Sequence, residues 1–294
     1  ETIPSLVDPS GFSMLNDNIH AQGFNVLGRW DNASSDAMNH KIQAYIDYAS
    51  HKYSSLEQEI YTFDLDYQTS LKTSDRNELM WGGSGRLINS KFEDTFDITV
   101  SDDNQNSHII SGFVQNQYAL SPDELYFTAG SKIEHNNFTG VELEPSARLS
   151  WYPTDNQTVW GAVSRAVRIP SILENSGAGN VETVAPGVIA RQQYNEDLES
   201  EVSISYELGH RIKPLNNVTV DSTIFVNDYD RLRTFEPLAL EFIPAGAILP
   251  LELNNVGQGT THGFETSMNW DVSSTWSLLA NYSYLNISLD ENYS

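Results

Sequence analysis

The chain contains no cysteine. That absence removes disulfides, thiol nucleophiles and thiolate metal sites together. Positive charge is also scarce: 16 Lys and Arg stand against 40 Asp and Glu, a net charge of −24. Sequence-independent nucleic-acid binding needs a basic surface, so that class of function is excluded. No apolar run approaches the roughly 18 residues of a membrane-spanning helix. No charged and then apolar leader opens the chain, which begins at Glu1 and is therefore expected to be processed or cut from something longer. There is no HExxH and no Cys/His ligand spacing, so no metal centre or cofactor is expected. Gly82-Gly83-Ser84-Gly85 lacks the fifth-position glycine of a nucleophile elbow. Gly257, Gly259 and Gly263 miss the dinucleotide fingerprint by one residue and have no βαβ context. Asp102-Asp103 reads as a solvated acidic loop in preference to a hard-cation site. Nothing singles out an acid–base couple, and the chain is not expected to be an enzyme.

What is present is an alternation. Over residues 201–212, Val202, Ile204, Tyr206, Leu208 and Ile212 fall on one side, with His210 the exception. Glu201, Ser203, Ser205, Glu207 and Arg211 fall on the other. Strand side chains alternate faces, so the segment has one apolar and one charged wall. A soluble sandwich buries the apolar wall; a transmembrane barrel turns it to lipid and the polar wall to a lumen. Hydrophobic content is 39%, low for a dry core, yet aromatics reach 11% with 14 Tyr and 6 Trp, which suits interfacial girdles. The pattern predicts twelve strands, near 22–30, 37–48, 57–69, 78–86, 107–120, 125–135, 144–152, 158–166, 201–212, 218–229, 261–271 and 276–286.

The connections decide between the two architectures. Short connections (31–36, 70–77, 121–124, 153–157, 213–217, 273–275) alternate with longer ones (50–56, 87–106, 136–142, 166–200, 230–260). Antiparallel neighbours then carry the short turns at one end and the long loops at the other, as an outer-membrane barrel does; a Greek-key sandwich gives no reason for it. In a bilayer every backbone polar group must be paired, so such a sheet has to close. Strand parity puts residues 1–20 and the exit of the twelfth strand both at the long-loop end. A complete barrel is expected to keep both termini at the other end, so an internal slice of a larger barrel is expected.

Several stretches carry a resemblance. SGFVQNQY (111–118), LYFTAGSKIEHNNFTG (125–140), PSARL (145–149) and WYPTDN (151–156) come in order. VWGAVSRAVRIPS (159–171), SYELGHR (205–211), FVNDYDRL (225–232), GFE (263–265) and NYSYL (281–285) follow. The ordered series over roughly 78–286 resembles the barrel of TonB-dependent outer-membrane receptors. The resemblance implies an all-β fold: an antiparallel transmembrane β-barrel segment supplying about 12 strands of a 22-stranded barrel. Residues 1–294 would be a partial barrel domain, with the plug domain and its TonB-contacting segment absent. It implies a receptor in the outer membrane of a Gram-negative bacterium, importing a ferric siderophore or other iron complex with energy delivered through TonB. Its partners would be outer-membrane lipid, the TonB complex by way of the plug, and an iron chelate or similar small ligand, with no nucleic acid. A passive porin-type channel and a soluble acidic β-rich binding module remain the alternatives.

Candidate residues follow from this geometry. Arg165, Glu207 and Arg211 are expected to point into the lumen, with Arg168 just beyond its strand; they would hydrogen-bond a plug or form ion pairs within the barrel. The loops 166–200 and 230–260 are expected to contact ligand or to serve as mobile cover, because long loops on rigid scaffolds carry recognition. Within them Arg191, Tyr194 and Phe235 combine charge or aromatic surface with position.

Overall fold

The computed structural model describes residues 2–8, 11–16, 18–95, 97–244 and 246–290. In chain order the elements begin with β1 (Thr2–Asp8), β2 (Gly11–Asn16), β3 (His20–Ser35), β4 (Met38–Tyr53), β5 (Leu56–Ser74) and β6 (Asn77–Glu93). Then come β7 (Ile98–Val100), β8 (Asn104–Ser121), β9 (Leu125–Asn136), β10 (Gly140–Thr154), β11 (Gln157–Arg168) and the single helix among the described residues, α1 (Ile172–Ser176). The rest are β12 (Gly177–Ala185), β13 (Val188–Gln193), β14 (Glu201–Leu215), β15 (Val218–Pro237), β16 (Glu241–Ile243), β17 (Gly246–Ser273) and β18 (Trp276–Asp290).

Twelve of these form one antiparallel wall in chain order: β3, β4, β5, β6, β8, β9, β10, β11, β14, β15, β17 and β18. They are the twelve strands expected from the alternation, each extended at one or both ends. Among the described residues β3 pairs only with β4 and β18 only with β17, so the sheet does not close. β1 and β2 form a separate two-stranded sheet.

The two faces of the wall are inverted relative to a water-soluble domain. Leu208, Ile224, Phe264 and Tyr284 lie directly opposite one another along four strands, and all four are exposed, by 40–55%. A second row, Ile46, Phe63 and Leu87, is equally open. The buried charges are on the other face: Asp64, Glu134 and Glu142 are each under 9% exposed. A soluble fold spends its driving force burying the first set and wetting the second; this wall does the reverse, as a barrel wall in lipid must. Outward-facing Trp30, Tyr118, Trp151, Trp270 and Trp276 gather toward the short-turn end, where an aromatic girdle belongs.

The short-turn end is stitched shut. The carbonyls of Ala37, Arg76, Glu124, Asn156 and Asn217, one in each of five turns, accept the backbone N–H of Lys72, Ala119, Tyr152, Lys213 and Asp271 on the next hairpin, at 2.7–2.9 Å. Five of the six short turns thus give that acceptor a partner on the next hairpin, which matters where water thins out.

At the other end the structure corrects three expectations. The connection at 50–56 is a two-residue turn, Ser54-Ser55, and that at 136–142 shortens to 137–139. The segment 230–260 is no loop: β15 and β17 continue as a paired ribbon beyond the wall, up to Pro237↔Leu251. The alternation breaks there because the register shifts between Tyr229 and Leu232, where Arg231 takes a left-handed φ of 56°. A bulge of this kind resets the period of two, so the strand looks finished when it has only been re-aimed.

Candidate ligand-recognition rim

The long-loop end is built outward from the last pair of β11 and β14, Arg168↔Glu201. Pro170 ends β11, since it supplies no ladder N–H. Ser171 then caps α1: its hydroxyl accepts from the Glu174 backbone N–H at 3.3 Å, and the Glu174 carboxylate takes the Ser171 N–H at 2.7 Å. This capping box turns Glu174 back toward the wall. There its two oxygens accept from Arg168 at 3.1 and 3.2 Å, and the Glu174 carboxylate also pairs with Arg233. Arg168 simultaneously holds Glu201 with two bonds of 2.8 Å, and the backbone N–H of Arg233 adds a third donor to Glu201 at 3.0 Å. Phe235 lies 5.8 Å below the Arg233 guanidinium, a cation–π contact.

Electrostatics follow from these contacts. The hydrogen bond from Arg168 holds the Glu201 carboxyl below the ordinary range, against the opposing pull of burial. The same bond raises the Arg168 pKa. Arg233 is lowered, first by burial and then by the like charge of Arg168. Glu174, 5% exposed, keeps those two cations together.

The loop 169–200 is ordered into an extension of the sheet. β12 and β13 form a hairpin; β12 pairs with β7, and β13 runs parallel to β17 over Val188↔Ala247 to Gln193↔Glu252. Arg191 ties this layer together. Its guanidinium donates to Asn180 Oδ1 and Thr99 Oγ1, both at 2.8 Å, and burial lowers its pKa while Asp94 and Asp97 oppose the shift. Tyr194 follows β13 and is 39% exposed.

The structure therefore brings Arg168 and Phe235 to one rim and sets Arg191 in the adjoining layer. Glu207 lies on the polar face in mid-wall, where the Ser205 hydroxyl donates to it at 3.3 Å. Arg211 lies on the same face but near the short turns, paired with Asp221 at 2.5 Å. Arg165 is a correction. Its backbone pairs with Ile204, which puts it on the outward apolar face. Beyond Ser146↔Ser164 β10 and β11 no longer pair, and there the Arg165 guanidinium donates to the Leu143 carbonyl at 2.5 Å and approaches Glu142 at 3.8 Å.

Glu174, Glu201 and Arg233 were not anticipated as a group. Ser171 and Glu174 carry the capping-box spacing in the sequence. Arg233 carries no such signal, because its place depends on the ribbon beyond the bulge. Lower in the wall the polar face is held by ion pairs, Arg86–Asp64 at 2.9 Å and Lys132 with Glu134 and Glu144 at 2.5 and 3.2 Å. Arg148 differs: it lies 4.1 Å over the Trp160 ring, which in turn packs on Gly209. No group of three or more His, Asp or Glu able to hold a metal ion occurs among the described residues.

Comparison with known proteins places this wall. Residues 6–294 match the family model described as "TonB dependent receptor-like, beta-barrel". The "Iron-regulated outer membrane virulence protein" of Vibrio cholerae is 24% identical over 212 residues, covering 67% of this chain and 31% of that protein. The "Probable TonB-dependent siderophore receptor PiuA" of Acinetobacter baumannii is 25% identical over 167 residues, 56% of this chain and 19% of that one. The crystal structure of the siderophore receptor PirA from Pseudomonas aeruginosa superimposes with a TM-score of 0.79 at 16% identity, over 94% of this chain and 51% of the other. The chain thus spans about a third of the length of the Vibrio cholerae relative and half of PirA.

Proposed function

The chain belongs to the TonB-dependent receptor β-barrel family, whose seat is the outer membrane of Gram-negative bacteria, and from that premise we propose that it forms wall and rim of a receptor importing a ferric siderophore or other iron complex. Energy would come through TonB, and the polar face would meet a plug filling the lumen. Family membership carries the reading, and the names of relatives, an iron-regulated outer-membrane protein and siderophore receptors, point to iron chelates as cargo. The rim adds a place for recognition: Arg168, Arg233 and Phe235 stand at the long-loop end beside a layer that holds Arg191 and ends in Tyr194. A receptor of this kind binds and releases its cargo without covalent chemistry, so no catalytic role is assigned.

The test is growth under iron limitation, with the gene intact or deleted, on a panel of ferric chelates. Loss of growth on one chelate, restored by the gene, is the expected result. Equal growth on all, together with steady ion conductance from the purified barrel, would replace the receptor by a passive pore.

A further inference from the structure

The rim cluster has an uneven origin. Arg168, Glu201 and Arg233 stand on wall strands β11, β14 and β15, whereas Glu174 comes from the loop. Without Glu174 the wall presents two guanidinium groups and one carboxylate, a positive notch on a chain whose net charge is −24. Glu174 fills that notch by offering both oxygens to Arg168 and one of them to Arg233. The Arg168 fork and one Arg233 N–H converging on one carboxylate make a geometry suited to any carboxylate, whichever molecule supplies it.

We infer that Glu174 is the resident occupant of an anion site formed by Arg168 and Arg233, and that a polyanionic, oxygen-donor iron chelate displaces it. This rests on the receptor reading above and names the charge class of its ligand. The exchange trades one carboxylate for another, so the arginines are never left bare. A chelate with several negative charges wins because it interacts with both cations more strongly than one side chain does. Phe235, beneath Arg233, adds a flat apolar surface beside the site. The loop stays attached after exchange, because β13 remains paired with β17 and the Asn195 side-chain amide donates to the Leu253 carbonyl at 2.9 Å.

The experiment titrates full-length receptor in detergent with ferric citrate, a polycarboxylate, and with ferrichrome, an uncharged hydroxamate. Glu174→Gln keeps the shape and removes the competing charge. It should tighten ferric citrate about fivefold and leave ferrichrome unchanged. Adding Arg233→Gln to that variant should cancel the gain. In the wild type, ferric citrate should lower hydrogen-exchange protection over α1, residues 172–176, and leave β13 protected. A Glu174→Gln receptor that binds ferric citrate no more tightly than wild type overturns the exchange, as does a wild type in which α1 gains protection. If it does so while growth still depends on the gene for some other chelate, the receptor reading survives. If no chelate binds and growth is independent of the gene, both fall.

Discussion

Replacing Leu208 by arginine tests the orientation of the whole wall. Leu208 pairs with Gly161 on one side and Ile224 on the other, and its side chain is 51% exposed. The apolar alternation from Val202 to Ile212 climbs roughly 26 Å at about 3.4 Å per residue and a tilt of about 40°, the height of a barrel's lipid band. Leu208 then sits roughly 10 Å from the Ile212 edge and 15 Å from the other, close to mid-bilayer. An arginine there should cost about 2–4 kcal/mol of folding stability in a bilayer. In a water-soluble sheet the same half-exposed position would change stability by only about 0.5 kcal/mol. The paired control is Thr223→Arg, on the polar face opposite Gly209 and Glu265, where a carboxylate is at hand and the cost should stay under about 1 kcal/mol. Both variants are read by equilibrium urea unfolding of full-length receptor from lipid vesicles. A neutral Leu208→Arg with a costly Thr223→Arg would mean that the apolar face is not the lipid face.

Other expectations are more local. A Cβ on Gly209 would lie 2.2 Å from Trp160 Cε2, so Gly209→Ala should lift the indole off the wall at a cost of about 1–3 kcal/mol, seen as a shift in tryptophan fluorescence; an unchanged spectrum and stability would refute the packing. Lys132→Met strands the Glu134 and Glu144 carboxylates, whose side chains are only 10% and 20% exposed. It should destabilise by about 1–3 kcal/mol, with Lys132→Arg recovering most of the loss. Because Arg168 depresses the Glu201 pKa, the stability this pair lends is full above the ordinary glutamate range and fades as pH falls through the depressed folded value. Hydrogen-exchange protection at the outer ends of β11 and β14 should therefore hold through mild acid. An onset already at about pH 6.5, in the histidine range, would contradict the assignment.

The alternation in residues 201–212 and its counterparts was enough to place all twelve wall strands and the loop-bearing end, because period two and turn chemistry are local. Residues two apart share a face whatever surrounds them, and a reversal needs only its own few dihedrals. The same locality explains the errors. Bulges, visible only in pairing, carried β15 and β17 past their apparent ends. Arg165 looked inward-facing until its partner Ile204 placed it with the apolar row. Ser171 and Glu174 announce a helix cap, but nothing in the chain says that the capped carboxylate turns onto Arg168 and meets Arg233 from a strand some 60 residues later. That meeting depends on strand register and on where the ribbon beyond the bulge points, and those are properties of the assembled sheet.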